Sequence, residues 1–282
     1  VKGVPNGQAE IITCADNFHG RTITIISCST EPRYRQGFGP FTPGFKSIPF
    51  GDADALQAAI TPNTVAFLVE PIQGEAGVNV PPDGYLREVR DICSRNQVLL
   101  VADEIQTGLG RCGQLFASDW EKVTPDLITI GKALSGGMMP VSAVVGSREV
   151  LGLFQPGMHG STFGGNPLAS AVARESLKVI VEEELPRRAR ELGVYFRNSL
   201  REIQSPYVRE IRGKGLLIGV ELAEDAGPAR PFVNRLQERR VLAKDTHGSV
   251  IRFAPPLVIR KEDIDFILEQ VAAVLTLEAV KV

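Results

Sequence analysis

The stretch VLLVADEIQTGLGRCG (98–113) decides the fold, together with DLITIGKALSGG (126–137) further along the chain. Each begins with a short apolar run typical of a buried parallel strand, and each run ends in a functional side chain, Asp103 in the first and Lys132 in the second. Ligands of open α/β sheets bind at the carboxyl ends of the strands. Because Lys132 lies 29 residues after Asp103, which leaves room for a helical crossover, we expect both side chains to meet over one cleft.

Outward from this stretch, the first half of the chain alternates strand and helix patterns. AEIITCA (9–15) and TVAFLVE (64–70) are further short apolar runs. GYLREVRDICSRN (84–96) has apolar residues at helical spacing, and Asp83 is placed to cap its N-terminus. Repeated strand–helix–strand units predict an α/β fold with a mostly parallel sheet.

The pattern changes in the second half. Asn166 and Pro167 are a good N-cap and first residue of a long helix, and strand candidates follow at VREIRG, GLLIGVEL and SVIRFAP. The last helix has an apolar stripe from Ile264 to Leu275. We therefore expect a large domain over residues 1–170, and a linking helix with a smaller C-terminal α+β domain over 171–282.

Composition excludes several classes of protein. With 43% hydrophobic and 23% charged residues, the 282-residue chain is not disordered. No apolar run is long enough for a membrane span, and a net charge of −2 without a basic run argues against nucleic acid. The cysteines and histidines lack metal-site spacing, so no metal is expected. Unpaired thiols predict a cytoplasmic protein, with the mitochondrial matrix left open because position 1 is Val and the first Met is Met138.

Asp103 and Lys132 form a pair of residue types with a specific chemical use. A lone lysine at a strand end is most often a solvated side chain, and a lone aspartate there is most often a cap. A desolvated lysine, in contrast, forms Schiff bases, and a carboxylate nearby holds the ring nitrogen of pyridoxal phosphate protonated. A charge pair at about 4 Å is worth about 4 kcal/mol at an effective dielectric constant near 20. The two residues together favour a pyridoxal-phosphate enzyme.

The phosphate of such a cofactor needs hydrogen-bond donors. HGSTFGGNPL (159–168) supplies Ser161, Thr162 and backbone amides in a glycine-rich turn before a helix. Other cofactor and nucleophile motifs are absent from the sequence: the Walker loop, a GxGxxG after a strand, and a GxSxG elbow.

Four stretches in this order and spacing resemble the class III pyridoxal-phosphate aminotransferases: VEPIQGEAG (69–77), VADEIQTGLGRCG (101–113), LITIGKALSGG (127–137) and HGSTFGGNPL (159–168). NFHGRT (17–22), GFGPFTPGF (37–45), RGKGLLIGVEL (212–222) and THGSVIRFAPPL (246–257) look most like the members that act on ornithine. The resemblance implies a fold-type-I pyridoxal-phosphate transferase that works as a homodimer. It also implies a substantial N-terminal part ahead of position 1, carrying the first strand of the large domain, a phosphate-binding turn and tyrosines of the substrate pocket.

The resemblance assigns roles to individual positions. Lys132 would bind the cofactor and move the proton, and Asp103 would pair with its ring nitrogen. The other cofactor contacts would be Phe18 and Ile105 on the ring faces, Gln106 on the phenolic oxygen, and Ser161 and Thr162 on the phosphate of the neighbouring subunit's cofactor.

Three further positions resemble substrate-binding residues of the class. Arg21 would bind the α-carboxylate of 2-oxoglutarate or glutamate, Arg252 the second carboxylate, and Glu75 would mask Arg252 when ornithine is bound. An ordinary structural ion pair is the alternative for Glu75 and Arg252.

The expected reaction is transfer of the δ-amino group of L-ornithine to 2-oxoglutarate. Three alternatives remain open. The first is another ω-aminotransferase of the class, acting on acetylornithine or 4-aminobutyrate. The second is a truncated, non-catalytic form. The third is a racemase or decarboxylase, against which the two arginines argue.

Overall fold

The computed structural model describes residues 2–276, which form two compact units. The first unit contains the chain up to Pro71, Pro81–Leu109 and Phe116–Val179. The second contains Ile72–Val80, Gly110–Leu115 and the chain from Ile180 onward. The functional division expected at residue 170 stays a prediction.

The first unit is built on a six-stranded sheet, and the predicted mostly parallel α/β fold is confirmed. Its strands are β1 (Glu10–Cys14), β2 (Phe45–Ile48), β3 (Thr64–Val69), β4 (Leu99–Asp103), β5 (Leu127–Ile130) and β6 (Ala143–Gly146). The spatial order is β2-β1-β3-β4-β5-β6, and every pair is parallel except β5 with β6. The four predicted strands form its middle. The two edge strands, β2 and β6, are additions to the prediction; only Ile48 of β2 is buried, and all four residues of β6 are exposed.

The helices of the first unit are mostly short. They are α1 (Ile23–Ser27), α2 (Pro32–Arg35), α3 (Ala53–Ala59), α4 (Tyr85–Arg95) and α5 (Arg148–Leu151), and α6 (Pro167–Glu182) follows them. Helix α4 buries Leu86, Val89 and Ile92 in the same core as β1, β3 and β4, as its spacing predicts. At α6, the predicted cap is confirmed, since Asn166 Oδ1 accepts from the Ala169 amide at 2.9 Å.

Two local predictions in this unit are wrong. Asp83 is not the N-cap of α4; that position is Gly84. The carboxylate of Glu121 accepts instead from the Gly84 and Arg87 amides, at 3.0 and 3.1 Å. A side chain from another segment therefore satisfies the helix end. The helical crossover expected between Asp103 and Lys132 is also wrong: the described chain between β4 and β5 contains one short 3₁₀ turn, Ala117–Glu121, and no α-helix.

The second unit contains an antiparallel sheet in the order β7-β8-β10-β9. Its strands are β7 (Val208–Lys214), β8 (Leu217–Leu222), β9 (Lys244–Thr246) and β10 (Val250–Phe253), and its helices are α7 (Leu185–Glu202), α8 (Ala229–Glu238) and α9 (Lys261–Thr276). The predicted strands and the apolar stripe of α9 are confirmed, because Ile264, Val271 and Leu275 are buried in the core of this unit. Within residues 2–276, no helix is long and apolar enough to cross a membrane.

Candidate active site

Asp103 ends β4, and three donors surround its buried carboxylate. The ring Nδ1 of His19 lies 2.7 Å from Oδ2. The Ile105 amide and the Thr129 hydroxyl each donate to Oδ1 at 3.1 Å. Thr129 lies opposite Asp103 in the pairing of β4 with β5, so the sheet register itself brings this donor to the carboxylate.

These donors keep Asp103 anionic. Burial is the largest single influence and by itself raises the pKa of Asp103. The hydrogen bonds from His19, Ile105 and Thr129 together outweigh it and hold the pKa of Asp103 below its ordinary value. The first unit therefore has a buried negative charge at the carboxyl end of its sheet.

His19 is the important residue that sequence reasoning missed. Its spacing gives no metal site, yet its buried side chain contacts Asp103 from 84 residues away. Its other ring nitrogen, Nε2, is buried and has no hydrogen-bond partner among residues 2–276. Buried polar atoms without a partner are rare in folded proteins. The signal available in the sequence was its position next to Phe18 in NFHGRT.

Lys132 follows β5, and its backbone is strained. Its φ is +42°, in the left-handed region that a residue with a side chain rarely adopts. The 3₁₀ turn Lys132–Ser135 holds this conformation, since the Ser135 hydroxyl donates to the Lys132 carbonyl at 2.8 Å. Strain of this kind concentrates at functional sites.

A cavity of about 390 Å³ opens beside Lys132 within the first unit. Ile105 and Gly131 line it on the side of the strand ends, and Ser142 and the residues 163–166 line it elsewhere. Lys132 and Ile105, two of the predicted cofactor contacts, therefore share one cavity.

Glu104 shapes the turn that carries Ile105 and Gln106. Its buried carboxylate accepts from the Thr107 hydroxyl at 2.5 Å, from the Ala117 amide at 3.0 Å, and from the amide and hydroxyl of Ser118 at 2.9 and 3.0 Å. Burial raises the pKa of Glu104 in spite of these donors. The pKa values of the adjacent carboxylates of Asp103 and Glu104 are thus shifted in opposite directions, and only the shift of Asp103 favours the anion.

Phe18 and Arg21 lie on the loop after β1. The Phe18 amide donates to Glu70 Oε2 at 3.0 Å, which ties this loop to the end of β3. The guanidinium of Arg21 lies 4.0 Å from the ring centroid of Tyr34 and 5.4 Å from that of Phe18. The predicted ring-stacking and carboxylate-binding residues are therefore in contact with each other.

Ser161 and Thr162 lie in an exposed loop before α6, outside the set of residues that line the Lys132 cavity. The Ser161 hydroxyl accepts from the Gly164 amide at 3.1 Å. The segment directly after them, Phe163–Asn166, does line the cavity. Their predicted contact with a neighbouring subunit's cofactor stays a prediction.

Glu75 and Arg252 form an ion pair within the second unit. Arg252 Nη1 lies 2.7 Å from Glu75 Oε1 and donates to the Gly74 carbonyl at 3.2 Å. The Thr246 hydroxyl donates to the Glu75 carbonyl, which fastens this loop to β9. The pair expected from the sequence is therefore present, and its role stays a prediction.

The residues of the first unit fit pyridoxal phosphate. A buried anion suits a protonated ring nitrogen, and the Lys132 amine in a cavity beside Ile105 suits covalent attachment of the cofactor. Lys132 is an exposed residue, however, so the desolvated lysine expected from the sequence is wrong. The part of the chain that the structure describes has no cluster of His, Cys, Asp or Glu that could hold a metal ion.

Known proteins similar to this chain agree with that chemistry. The family model Aminotransferase class-III matches residues 1–275. An ornithine aminotransferase of Bacillus subtilis is 57% identical over 275 residues, which cover 98% of this chain and 68% of that protein.

Solved structures of aminotransferases are also similar to this chain. One is an ornithine aminotransferase from Toxoplasma gondii with partial occupancy of PLP at its active site. Its TM-score is 0.95 at 48% identity, and the match covers 97% of this chain and 66% of the Toxoplasma chain. An acetylornithine aminotransferase from Elizabethkingia anophelis has a TM-score of 0.86 at 45% identity, covering 98% and 69%. The chain spans about two thirds of the length of these relatives.

Proposed function

This chain belongs to the class III aminotransferase family, and on that premise we propose that it transfers the δ-amino group of L-ornithine to 2-oxoglutarate with pyridoxal 5′-phosphate as cofactor. The products are glutamate and glutamate 5-semialdehyde, which cyclises to pyrroline-5-carboxylate. The observation that carries the proposal is the buried Asp103 anion, held by His19 at the end of the strand next to the one that Lys132 follows.

The residues of the first unit divide the work around the cofactor. When bound, pyridoxal phosphate supplies an electron sink for negative charge on the substrate carbon. Asp103 would keep a negative charge beside the ring nitrogen, and the amine of Lys132 would hold the cofactor and carry the proton to and from the substrate carbon. Phe18 and Ile105 would pack on the ring faces, and Gln106 would donate to the phenolic oxygen.

The charges of the two substrates indicate how the arginines act. Ornithine has one carboxylate, far from its reacting δ-carbon, and 2-oxoglutarate has a second one beside its reacting carbon. Arg252, masked by Glu75 at 2.7 Å, suits the carboxylate that only the second substrate carries. Arg21 suits the distant carboxylate that both substrates share. This assignment reverses the one that the resemblance alone implies for the two arginines.

The homodimer belongs to the same proposal. Large apolar side chains lie exposed around the Ser161–Thr162 loop, with Phe163 80% and Met158 65% exposed. Exposed apolar groups of this size mark interaction surfaces. Sedimentation of the chain as a monomer in the presence of pyridoxal phosphate would contradict the dimer. We also propose that the protein works in the cytoplasm or the mitochondrial matrix, since all four cysteines are buried thiols.

Absorption spectroscopy with added pyridoxal phosphate tests the proposal. We expect a visible imine band that is absent in Lys132→Ala and that L-ornithine converts to the amine form. Addition of 2-oxoglutarate should restore the band. A panel of donors follows: conversion by acetylornithine or 4-aminobutyrate without conversion by ornithine would overturn the substrate, and absence of any Lys132-dependent band would overturn the reaction.

A further inference from the structure

Arg21 and Arg252, the two arginines assigned to substrate carboxylates, are held by different kinds of partner. Arg252 donates hydrogen bonds to the Glu75 carboxylate and to the Gly74 carbonyl. Arg21 stacks on an aromatic ring instead, at 4.0 Å from the centroid of Tyr34. Among residues 2–276, no carboxylate forms an ion pair with Arg21. A carboxylate therefore pairs with Arg252, whereas an aromatic ring contacts Arg21.

An aromatic partner leaves a guanidinium ready to bind an anion. The cation–π contact uses the flat face of the guanidinium, whereas its five N–H donors lie in the plane and point outward. A carboxylate binds to those donors as a planar, two-pronged acceptor. Tyr34 can therefore fix the orientation of Arg21 without using its charge or its donors.

The position of Tyr34 is itself well determined. It lies in α2, whose first turn is capped by Glu31, because the carboxylate of Glu31 accepts from the Arg33 amide at 3.1 Å. Arg35 donates to the Ser27 and Ser29 carbonyls at 3.2 and 3.1 Å and so joins α2 to the end of α1. The rings of Tyr34 and Phe18 also meet edge to face at 5.7 Å.

We propose that Tyr34 is a positioning residue that sets how tightly Arg21 binds the carboxylate shared by the amino donor and the oxo acid. The inference rests on the proposed function, since it needs Arg21 to meet a substrate carboxylate. It adds a specificity-determining residue outside the set that the sequence predicts, and one that acts through Arg21.

Substitutions at Tyr34 give the first test. In the chain reconstituted with pyridoxal phosphate, Tyr34→Leu should raise the KM for L-ornithine about 2- to 30-fold, the range that corresponds to exposed and desolvated cation–π contacts. Its kcat should stay within about twofold, because no reacting group is lost. Tyr34→Phe keeps the ring and should match the wild type. Phe41→Leu is the matched control, since Phe41 stacks on Arg35 at 4.4 Å in the same segment, and it should leave KM unchanged.

A donor without a carboxylate separates positioning from general damage to the fold. With 1,4-diaminobutane, Tyr34→Leu should have the same kcat/KM as the wild type, and in an Arg21→Met background it should cause no further loss with ornithine. Equal losses with both donors, additive losses in the double variant, or an equal effect of Phe41→Leu would overturn the proposal.

The same comparison distinguishes this inference from the proposed function. If the wild type accepts another ω-amino acid and not ornithine, the substrate proposal fails and the Tyr34 series is measured with the accepted donor. If no donor reacts, calorimetry with glutarate replaces turnover, and Tyr34→Leu should weaken binding by the same factor. Glutarate binding that is absent, or that depends on neither Arg21 nor Tyr34, overturns the inference.

Discussion

Replacing His19 by phenylalanine removes one hydrogen bond from the buried carboxylate of Asp103 and keeps a ring of similar size. This hydrogen bond joins His19 Nδ1 to Asp103 Oδ2 at 2.7 Å. The other two donors described above bind Oδ1. Hydrogen bonds to charged groups contribute about 1.5–3 kcal/mol. Because the ring nitrogen of the cofactor needs an anion, we expect kcat/KM for ornithine to fall about 10- to 150-fold.

The pH profile should change in a specific direction. Hydrogen bonding holds the pKa of Asp103 below its ordinary value, whereas burial opposes it. A carboxylate with a lowered pKa contributes stability above its unfolded pKa and loses that contribution as pH falls through its folded value. Without His19, burial raises the pKa of Asp103, so the acid limb of kcat/KM should move to higher pH in His19→Phe than in the wild type.

Two variants control for unrelated effects. His19→Asn offers an amide N–H in place of Nδ1 and should recover most of the activity. His247→Asn changes an exposed histidine in the loop before β10, whose φ of +49° asparagine tolerates, and should leave kcat/KM within about twofold. Activity within threefold of wild type in His19→Phe, with an unmoved acid limb, would refute the claim that His19 controls the charge of Asp103.

Three further substitutions test other contacts. Glu104→Ala leaves four buried donors without an acceptor and should lower the free energy of unfolding in urea by at least about 3 kcal/mol; a loss below 1 kcal/mol would contradict its role in the Ile105 turn. Glu75→Gln removes the charge that masks Arg252. The ratio of kcat/KM for 2-oxoglutarate to kcat/KM for ornithine should rise about 3- to 30-fold. An unchanged ratio would indicate a structural ion pair. Glu121→Ala removes the acceptor for two amides at the start of α4 and should cost about 0.5–2 kcal/mol in urea unfolding, whereas Asp91→Ala on the exposed face of the same helix should cost little.

The strands and helices that sequence analysis predicts are those with a local pattern. β1, β3, β4 and β5 are continuous apolar runs, and α4 and α9 have stripes at helical spacing. β6 is apolar in sequence (AVVG), yet all four of its residues are exposed, and its place at the sheet edge depends on antiparallel pairing with β5. The capping residue at the N-terminal end of α4 is missed for a similar reason. Its amides are capped by Glu121, 37 residues from Gly84, so the local candidate Asp83 was the wrong one.

The donors around Asp103 show the same limit at the site itself. The Ile105 amide is two residues away, and any carboxylate at a strand end followed by a turn has such a donor within reach. Thr129 is 26 residues away and requires the register of β4 with β5, and His19 is 84 residues away and requires the path of the loop after β1. Motif and spacing therefore predict which groups do the chemistry. The charge on Asp103 depends on long-range donors, because burial alone would raise its pKa and weaken the anion that the cofactor requires.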